Sequence, residues 1–207
     1  MTVAQNTVDL TTIAQVQGYL GSSIAANNDE IQILITAISS WAMKYCSRDF
    51  RLTAYVETRN GRGGQVMLTA QLPIISVTGL TVNGQTVPPA VGPPWNSGYR
   101  NDAQAIYLFS PWCFSRAFQN VVISYSAGWV TPGMFGLTPG AYPGGVTLPY
   151  DISQAVAEAV AERFKRRDSI GIISKTLAGE VITYSQADLP KSAAPVFDAY
   201  NKVSQAI

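Results

Sequence analysis

Residues 27–47 have the sequence NNDEIQILITAISSWAMKYCS, and this stretch decides the fold at the N-terminal end of the chain. Its apolar residues recur at intervals of three and four, which is the spacing of one face of an α-helix. The members of that face are Ile31, Leu34, Ile35, Ile38, Ala42 and Tyr45. The opening Asn-Asn-Asp-Glu is typical of a helix start. The stretch therefore predicts an amphipathic helix that ends near Ser47.

A shorter helix is predicted before this one. Thr12 and Gln15 have the spacing of a capping box. The apolar residues that follow share one helical face, and Gly21 ends the element. They are Ile13, Val16 and Leu20.

Helical periodicity returns in the last quarter of the chain. Asp151 and Gln154 again have capping-box spacing, and a helix is predicted from there to the basic run at residues 165–167. Its apolar face comprises Ile152, Ala155, Val156, Ala159, Val160 and Phe164. The small residues on this helix predict close packing against the first long helix. A strand-like segment at residues 181–184 and a last helix within residues 192–207 follow, the latter with Val196, Tyr200, Val203 and Ile207 on one face.

Between these helical parts the pattern changes to strands and turns. The predicted strands are residues 52–58, 65–69, 74–77, 80–82, 105–109 and 120–126. Asn60-Gly61 and Asn83-Gly84 are hairpin-turn signals. Two loops rich in Pro and Gly, residues 88–98 and 128–149, are predicted to lack regular structure. Aromatic residues in or beside such loops suit protein contact; the alternative is that the rings pack back onto the sheet of their own domain.

The order of these elements predicts an α+β fold. Residues 1–48 and 149–207 supply the N-terminal and C-terminal helices of one helical core. Residues 49–148 form an inserted antiparallel β region with the two long loops.

The composition predicts a weakly charged surface, because Asp, Glu, Lys and Arg make up only 13% of the 207 residues and the net charge is +1. Few charges must leave water when such a surface meets a protein partner. No apolar run approaches the ~18 residues of a membrane span, and the first residues lack the features of a signal peptide. We therefore expect no membrane partner and synthesis in the cytoplasm of the producing cell. Cys46 and Cys113 are expected to be reduced, partly buried thiols.

The residues that carry most enzyme chemistry are missing from the sequence. There is no histidine, which removes histidine-based acid–base, nucleophilic and metal-binding sites. Two cysteines are too few for a cysteine zinc site, and serine occupies the glycine positions of the nearest P-loop-like stretch, at Ser169 and Ser174. Glu158 and Glu162 lie one helical turn apart, which is typical of a solvated face. We predict no catalytic, cofactor-binding or metal-ligating residue, and no enzyme activity.

Several motifs stand in a characteristic order at both ends and in part of the middle of the chain. They are LTTIAQVQGYLG at residues 10–21, YCSRDF at 45–50, VVISYSAGW at 121–129, LPYDISQA at 148–155, AERFKRRD at 161–168 and IGIISKTLAGE at 170–180. In order and spacing, this set resembles the phage head–tail connector family, also called adaptor or head-completion proteins.

The resemblance implies a structural subunit of the virion neck. It implies a ring of about twelve copies beneath the portal of a tailed-phage particle, where the ring extends the channel for double-stranded DNA. The same ring docks a stopper (head-closure) or tail protein, and it needs no cofactor.

A ring subunit needs interfaces with its neighbours and partners. We expect residues 169–180 to form an extended segment that bridges subunits. The candidate interface residues are Ile170, Gly171, Ile172, Ile173, Ser174, Lys175, Leu177, Trp129, Phe135 and Tyr142. The candidate DNA-channel residues are Arg163, Lys165, Arg166 and Arg167.

Two other function classes fit parts of the sequence. A carbohydrate- or ligand-binding β-rich module would use the loop aromatics, and it predicts a concave aromatic site. A hydrolase that uses only carboxylates predicts two Asp or Glu side chains converging in a cleft. Neither explains why helices bracket the sheet.

Overall fold

The computed structural model describes residues 3–21, 27–142, 144–167, 174–177, 180–183 and 192–201. The chain divides into two compact units. The first comprises Met1–Arg48, Thr131–Ala141 and Leu148–Ile207, and the second comprises Asp49–Val130 and Tyr142–Thr147. The first unit is mainly helical and the second is built from antiparallel sheets, so the predicted α+β class is confirmed.

The first unit contains five helices and a hairpin in its described part. The helices are α1 (Ile13–Leu20), α2 (Asn28–Tyr45), α3 (Pro132–Leu137), α4 (Tyr150–Lys165) and α5 (Ala194–Tyr200). The hairpin consists of β8 (Ser174–Leu177) and β9 (Glu180–Thr183), so the predicted strand character at 181–183 is confirmed.

Helix α4 is the centre of the first unit. It packs against α1, α2 and α5, and every residue of its predicted apolar face is buried. The alanines on that face keep the helices close, as predicted. In the described part of the last helix the buried residue is Phe197, which lies against Trp41 and Tyr45 of α2, and not Val196 or Tyr200 of the predicted face. Val203 and Ile207 lie outside the described residues.

The two predicted capping boxes have different outcomes. At α1 the prediction is confirmed: the Thr12 hydroxyl accepts from the Gln15 backbone N–H at 3.3 Å, and the Gln15 side chain accepts from the Thr12 N–H at 3.2 Å. At α4 it is wrong, because the N-cap is Pro149, two residues before Asp151, and it makes no side-chain capping hydrogen bond. Asp151 is then inside the first turn, where its charge suits the helix dipole.

The second unit contains seven strands in two antiparallel sheets. They are β1 (Thr53–Gly61), β2 (Val66–Leu68), β3 (Ile74–Val82), β4 (Gln85–Thr86), β5 (Gly98–Asn101), β6 (Ala105–Phe109) and β7 (Ala117–Ala127). The sheets have the orders β1-β7-β3-β4 and β2-β6-β5. Apolar residues of both sheets share one core, with Leu80, Ile106, Ile123 and Tyr125 among its most buried members.

The two predicted hairpin turns also differ in outcome. Asn83-Gly84 joins β3 to β4 with φ values of 52° and 76°, which confirms the prediction and fits a type I′ turn. Asn60-Gly61 is not a hairpin turn, because β1 pairs with β7 and β2 pairs with β6. Gly61 instead permits a close backbone approach: a Cβ there would lie 1.9 Å from the carbonyl oxygen of Ser115.

The two long loops differ in outcome. Residues 88–97 contain no helix or strand, as predicted, and lead into β5, whereas residues 128–149 contain α3. The signal for α3 is present in the sequence. The Thr131 hydroxyl accepts from the Met134 N–H at 3.2 Å, and Pro132 occupies the first turn, which is a favourable start for a helix.

Both cysteines are free, and only one of them is buried. Cys46 has no exposed surface, and its thiol donates to the carbonyl oxygen of Phe197 at 3.4 Å. Burial raises the pKa of Cys46 to about 11. Cys113 is exposed, which corrects the expectation that both thiols are partly buried.

We expect one thiol per chain to react rapidly with Ellman's reagent at pH 8. The thiolate is the reactive form, and Cys46 is both inaccessible and protonated at that pH. The variant Cys113→Ser is expected to lose the rapid phase, and the remaining thiol should react only after denaturation. Two rapid equivalents in the native wild-type protein would contradict this assignment.

Candidate functional site

The polar residues of the structure do not converge on a reaction centre in the part that is described. Within those residues, no group of three or more His, Cys, Asp or Glu side chains could hold a metal ion. The helices described there include none long and apolar enough to cross a membrane. The two glutamates one turn apart on α4 have different partners: Glu158 accepts from the Tyr19 hydroxyl at 3.3 Å, and Glu162 forms an ion pair with Arg166.

The exposed carboxylates of the first unit are mostly held by tyrosine hydroxyls. Asp198 accepts from Tyr45 at 2.6 Å, and Asp151 accepts from Tyr200 at 3.0 Å. The hydrogen bond to Asp198 is the main cause that raises the pKa of Tyr45. These pairs fix the ends of α2, α4 and α5 against one another, so their geometry is that of structural contacts.

The predicted DNA-channel cations lie at the C-terminal end of α4, and most of them contact their own unit. Arg166 pairs with Glu162. Arg167 lies over the ring of Phe164, 3.9 Å from its centroid, and 3.9 Å from Glu30. Lys165 donates to the backbone oxygen of Tyr19 at 3.3 Å. Arg163 is exposed and makes no such contact in the described part of the chain. It is therefore the best-placed of the four for an outside phosphate.

The three aromatic candidates have different environments. Trp129 is only 8% exposed and its ring packs against Phe50, with 5.8 Å between the ring centroids. This ring therefore packs within its own unit, which was the alternative interpretation of the loop aromatics. Phe135 is 60% exposed on α3, and Tyr142 is half-buried. Phe135 is the one that offers a large apolar surface to a partner.

The segment after α4 is described only in part. Ser174, Lys175 and Leu177 lie in β8, whose backbone pairs with β9 from Ser174↔Thr183 to Leu177↔Glu180. Ile170, Gly171, Ile172 and Ile173 lie outside the described residues. The contact of this segment with a neighbouring subunit stays a prediction.

One surface feature was missed by the sequence interpretation. An open cleft of about 600 Å³ lies at one end of the sheet β1-β7-β3-β4, and we name it the tip cleft. It is lined by Asn60, Gly61, Arg62, Arg116, Ala117 and Phe118. Its two arginines are 54 positions apart in the sequence, so only the pairing of β1 with β7 brings them together.

Comparison with known proteins identifies a matching family model and solved structures with a similar fold. A family model described as head completion protein (HCP) matches residues 9–203. Among solved structures, the neck of an empty gene transfer agent particle with C6 symmetry is 16% identical, with 98% of this chain and 95% of that chain covered and a TM-score of 0.53. The neck of a native particle with C12 symmetry is 14% identical, with 98% and 96% covered and a TM-score of 0.53.

A third structure, the virion of a native gene transfer agent particle, is 15% identical, with 98% and 95% covered and a TM-score of 0.54. At these identities the similarity establishes a shared fold over nearly the whole of both chains. No curated protein sequence matches the chain.

Proposed function

Because the chain belongs to the head completion protein family, we propose that it is a structural subunit of the virion neck that assembles into a ring of about twelve copies. The single observation that carries the proposal is the family match, which spans nearly the whole chain from residue 9 to residue 203. The similarity in fold to a neck with C12 symmetry supports the copy number.

The surface of the subunit suits assembly into a closed ring. Such a ring uses a heterologous interface, in which two different surfaces of each subunit meet. The low charge of the chain reduces the cost of desolvating these surfaces. Helix α3 presents two exposed apolar side chains, Phe135 and Leu137, and such residues gain free energy when a neighbour covers them. We place Phe135 in the subunit interface, with the β8–β9 hairpin as the second interface element.

The proposed role is passive: the ring joins the portal to a stopper or tail protein, and double-stranded DNA passes through it without a chemical step. Among the cations of α4, Arg163 is the proposed DNA contact, because the other three are engaged within their own unit. One exposed arginine in each subunit gives a weak, salt-sensitive and sequence-independent contact. Such a contact is compatible with movement of the DNA.

Light scattering on the purified protein at rising concentration, followed by electron microscopy, tests the ring. We expect particles of about twelve times the 22.2 kDa subunit mass. The variant Phe135→Ser is expected to shift the population toward monomers, whereas Val91→Ser, which changes an 86% exposed residue of the second unit, should not.

Some ring proteins assemble only on their docking platform, so wild-type protein that stays monomeric is mixed with purified portal. Monomers under both conditions, together with density for this chain outside the neck of the particle, would refute the proposal.

A further inference from the structure

We propose that the tip cleft binds a segment of a second, different neck protein in which a carboxylate stands next to an apolar side chain. This inference rests on the proposed function, since a connector must hold a protein other than itself. The tip cleft combines two arginines, one exposed aromatic ring and a lining without acidic residues.

The side chain of Arg116 lies against the backbone of the loop that carries Arg62. The Arg116 Nε donates to the backbone oxygen of Arg62 at 3.2 Å. The Arg116 side chain also lies along Gly63, where a Cβ would be 3.4 Å from its Cγ. The Arg116 guanidinium is thus held beside the Arg62 backbone, and an arginine side chain can bind a carboxylate through two parallel hydrogen bonds.

The other arginines of the second unit have partners within the unit: two form ion pairs and one stacks on an aromatic ring. Arg51 pairs with Asp49 at 2.7 Å, Arg59 pairs with Glu57 at 3.0 Å, and Arg100 lies over the ring of Trp95 at 4.4 Å. Arg62 and Arg116 form no ion pair among the described residues. The tip cleft is therefore a concentration of uncompensated positive charge, and its ligand is expected to be anionic.

A network of asparagines fixes the loops that carry the cleft. The Asn60 side chain accepts from the Gln119 N–H at 2.7 Å, and the Asn120 side chain accepts from the Gly61 N–H at 2.8 Å. Asn120 also donates to Asn83 at 2.8 Å, which ties in the β3–β4 turn. Because these bonds join the ends of β1 and β7 to the β3–β4 turn, the cleft is ordered before a ligand arrives, and binding loses less conformational entropy.

Phe118 decides between a protein and a nucleic acid as the ligand. Its side chain is 78% exposed beside the two arginines. A DNA backbone would satisfy the guanidinium groups but would leave this ring in water. Arginine and aromatic residues together are enriched at the centres of protein interfaces. The geometry therefore favours an acidic and apolar protein segment.

Fluorescence anisotropy with three labelled probes tests the inference on the full-length protein. The probes are a random copolymer of glutamate and tyrosine, poly-glutamate, and a DNA duplex of about 30 base pairs. We expect the copolymer to bind more tightly than the other two. Arg62→Glu combined with Arg116→Glu should weaken copolymer binding about tenfold or more, and Phe118→Ser about threefold or more, as for central residues of an interface. The matched control Lys44→Glu, at an exposed lysine of the other unit, should change it less than twofold.

Circular dichroism and the unfolding midpoint test whether each variant is folded. If the ring of Phe118 contributes an apolar contact, Phe118→Leu should retain most of the copolymer binding. The inference is overturned if no probe binds, if the duplex binds best, or if Phe118→Ser has no effect. Loss of rings in the arginine variants would also overturn it, because the cleft would then be a contact between copies of this chain. Intact rings without copolymer binding would remove this inference and leave the proposed function standing.

Discussion

The variant Gly128→Ala is expected to lose about 4 kcal/mol of the free energy of unfolding of the second unit. Gly128 has a φ of 108°, a conformation that side-chain-bearing residues rarely adopt. A Cβ there would also lie 2.2 Å from the backbone oxygen of Arg51 and 2.6 Å from its carbonyl carbon. Backbone atoms cannot move aside as a flexible side chain can, so strain and overlap add. Urea unfolding followed by tryptophan fluorescence measures the loss, since the adjacent Trp129 is buried.

The matched control is Gly84→Ala in the same unit. Gly84 has a similar φ of 76°, but nothing lies within 4 Å of the position of its Cβ. Its substitution therefore carries the backbone strain alone, about 1 kcal/mol. Equal losses in the two variants would show that the approach of the Arg51 backbone does not determine the need for glycine at position 128.

Elements whose determinants are local could be predicted from the sequence. The Thr12–Gln15 capping box and the Asn83-Gly84 turn each depend on residues within one turn of the chain, and both have the predicted geometry. Helix α2 and the buried face of α4 follow in the same way from periodicity.

Elements whose determinants are distant could not be predicted in this way. Asn60-Gly61 has the composition of a hairpin turn, but Gly61 serves the approach of Ser115 and pairs with Ala117 in β7. The sheet order β1-β7-β3-β4 joins segments that are far apart in sequence, and a single sequence carries no direct signal for such pairing.

The candidate site residues also divide into those whose environment follows from the local sequence and those whose environment depends on distant residues. Exposure of Phe135 agrees with the loop-aromatic argument, whereas burial of Trp129 depends on Phe50, a residue of a distant loop. The basic run of α4 is visible in the sequence, but its partners Glu30 and Tyr19 come from other elements. A count of basic residues along the sequence therefore overestimates the number of positive charges at the end of α4 that are free of partners in their own unit.

The variant Asp9→Leu is expected to lose about 3 to 5 kcal/mol of the stability of the first unit. Asp9 is fully buried. Its carboxylate accepts three hydrogen bonds, each of 2.7 Å, from the Asn6 N–H, the Gln32 side-chain amide and the Thr36 hydroxyl. Removing the carboxylate leaves the Asn6 N–H without this acceptor, and it leaves the buried Gln32 amide with only a long contact of 3.5 Å to the Thr36 hydroxyl. Urea unfolding followed by circular dichroism measures the loss.

Two further variants separate the lost hydrogen bonds from the lost charge. Asp29→Leu removes a half-buried carboxylate that accepts only from the Val3 N–H at 3.0 Å in the described part, and it should cost about 1 kcal/mol or less. In Asp9→Leu combined with Gln32→Leu, the stranded donor is also removed, so about 1 to 2 kcal/mol should return. If the double variant is no more stable than Asp9→Leu, the stranded amide is not the cause. Because the backbone carbonyl of residue 9 also accepts from the N–H of Gly133 in α3, Asp9→Leu should loosen α3, and it should reduce ring formation if Phe135 lies in the proposed interface.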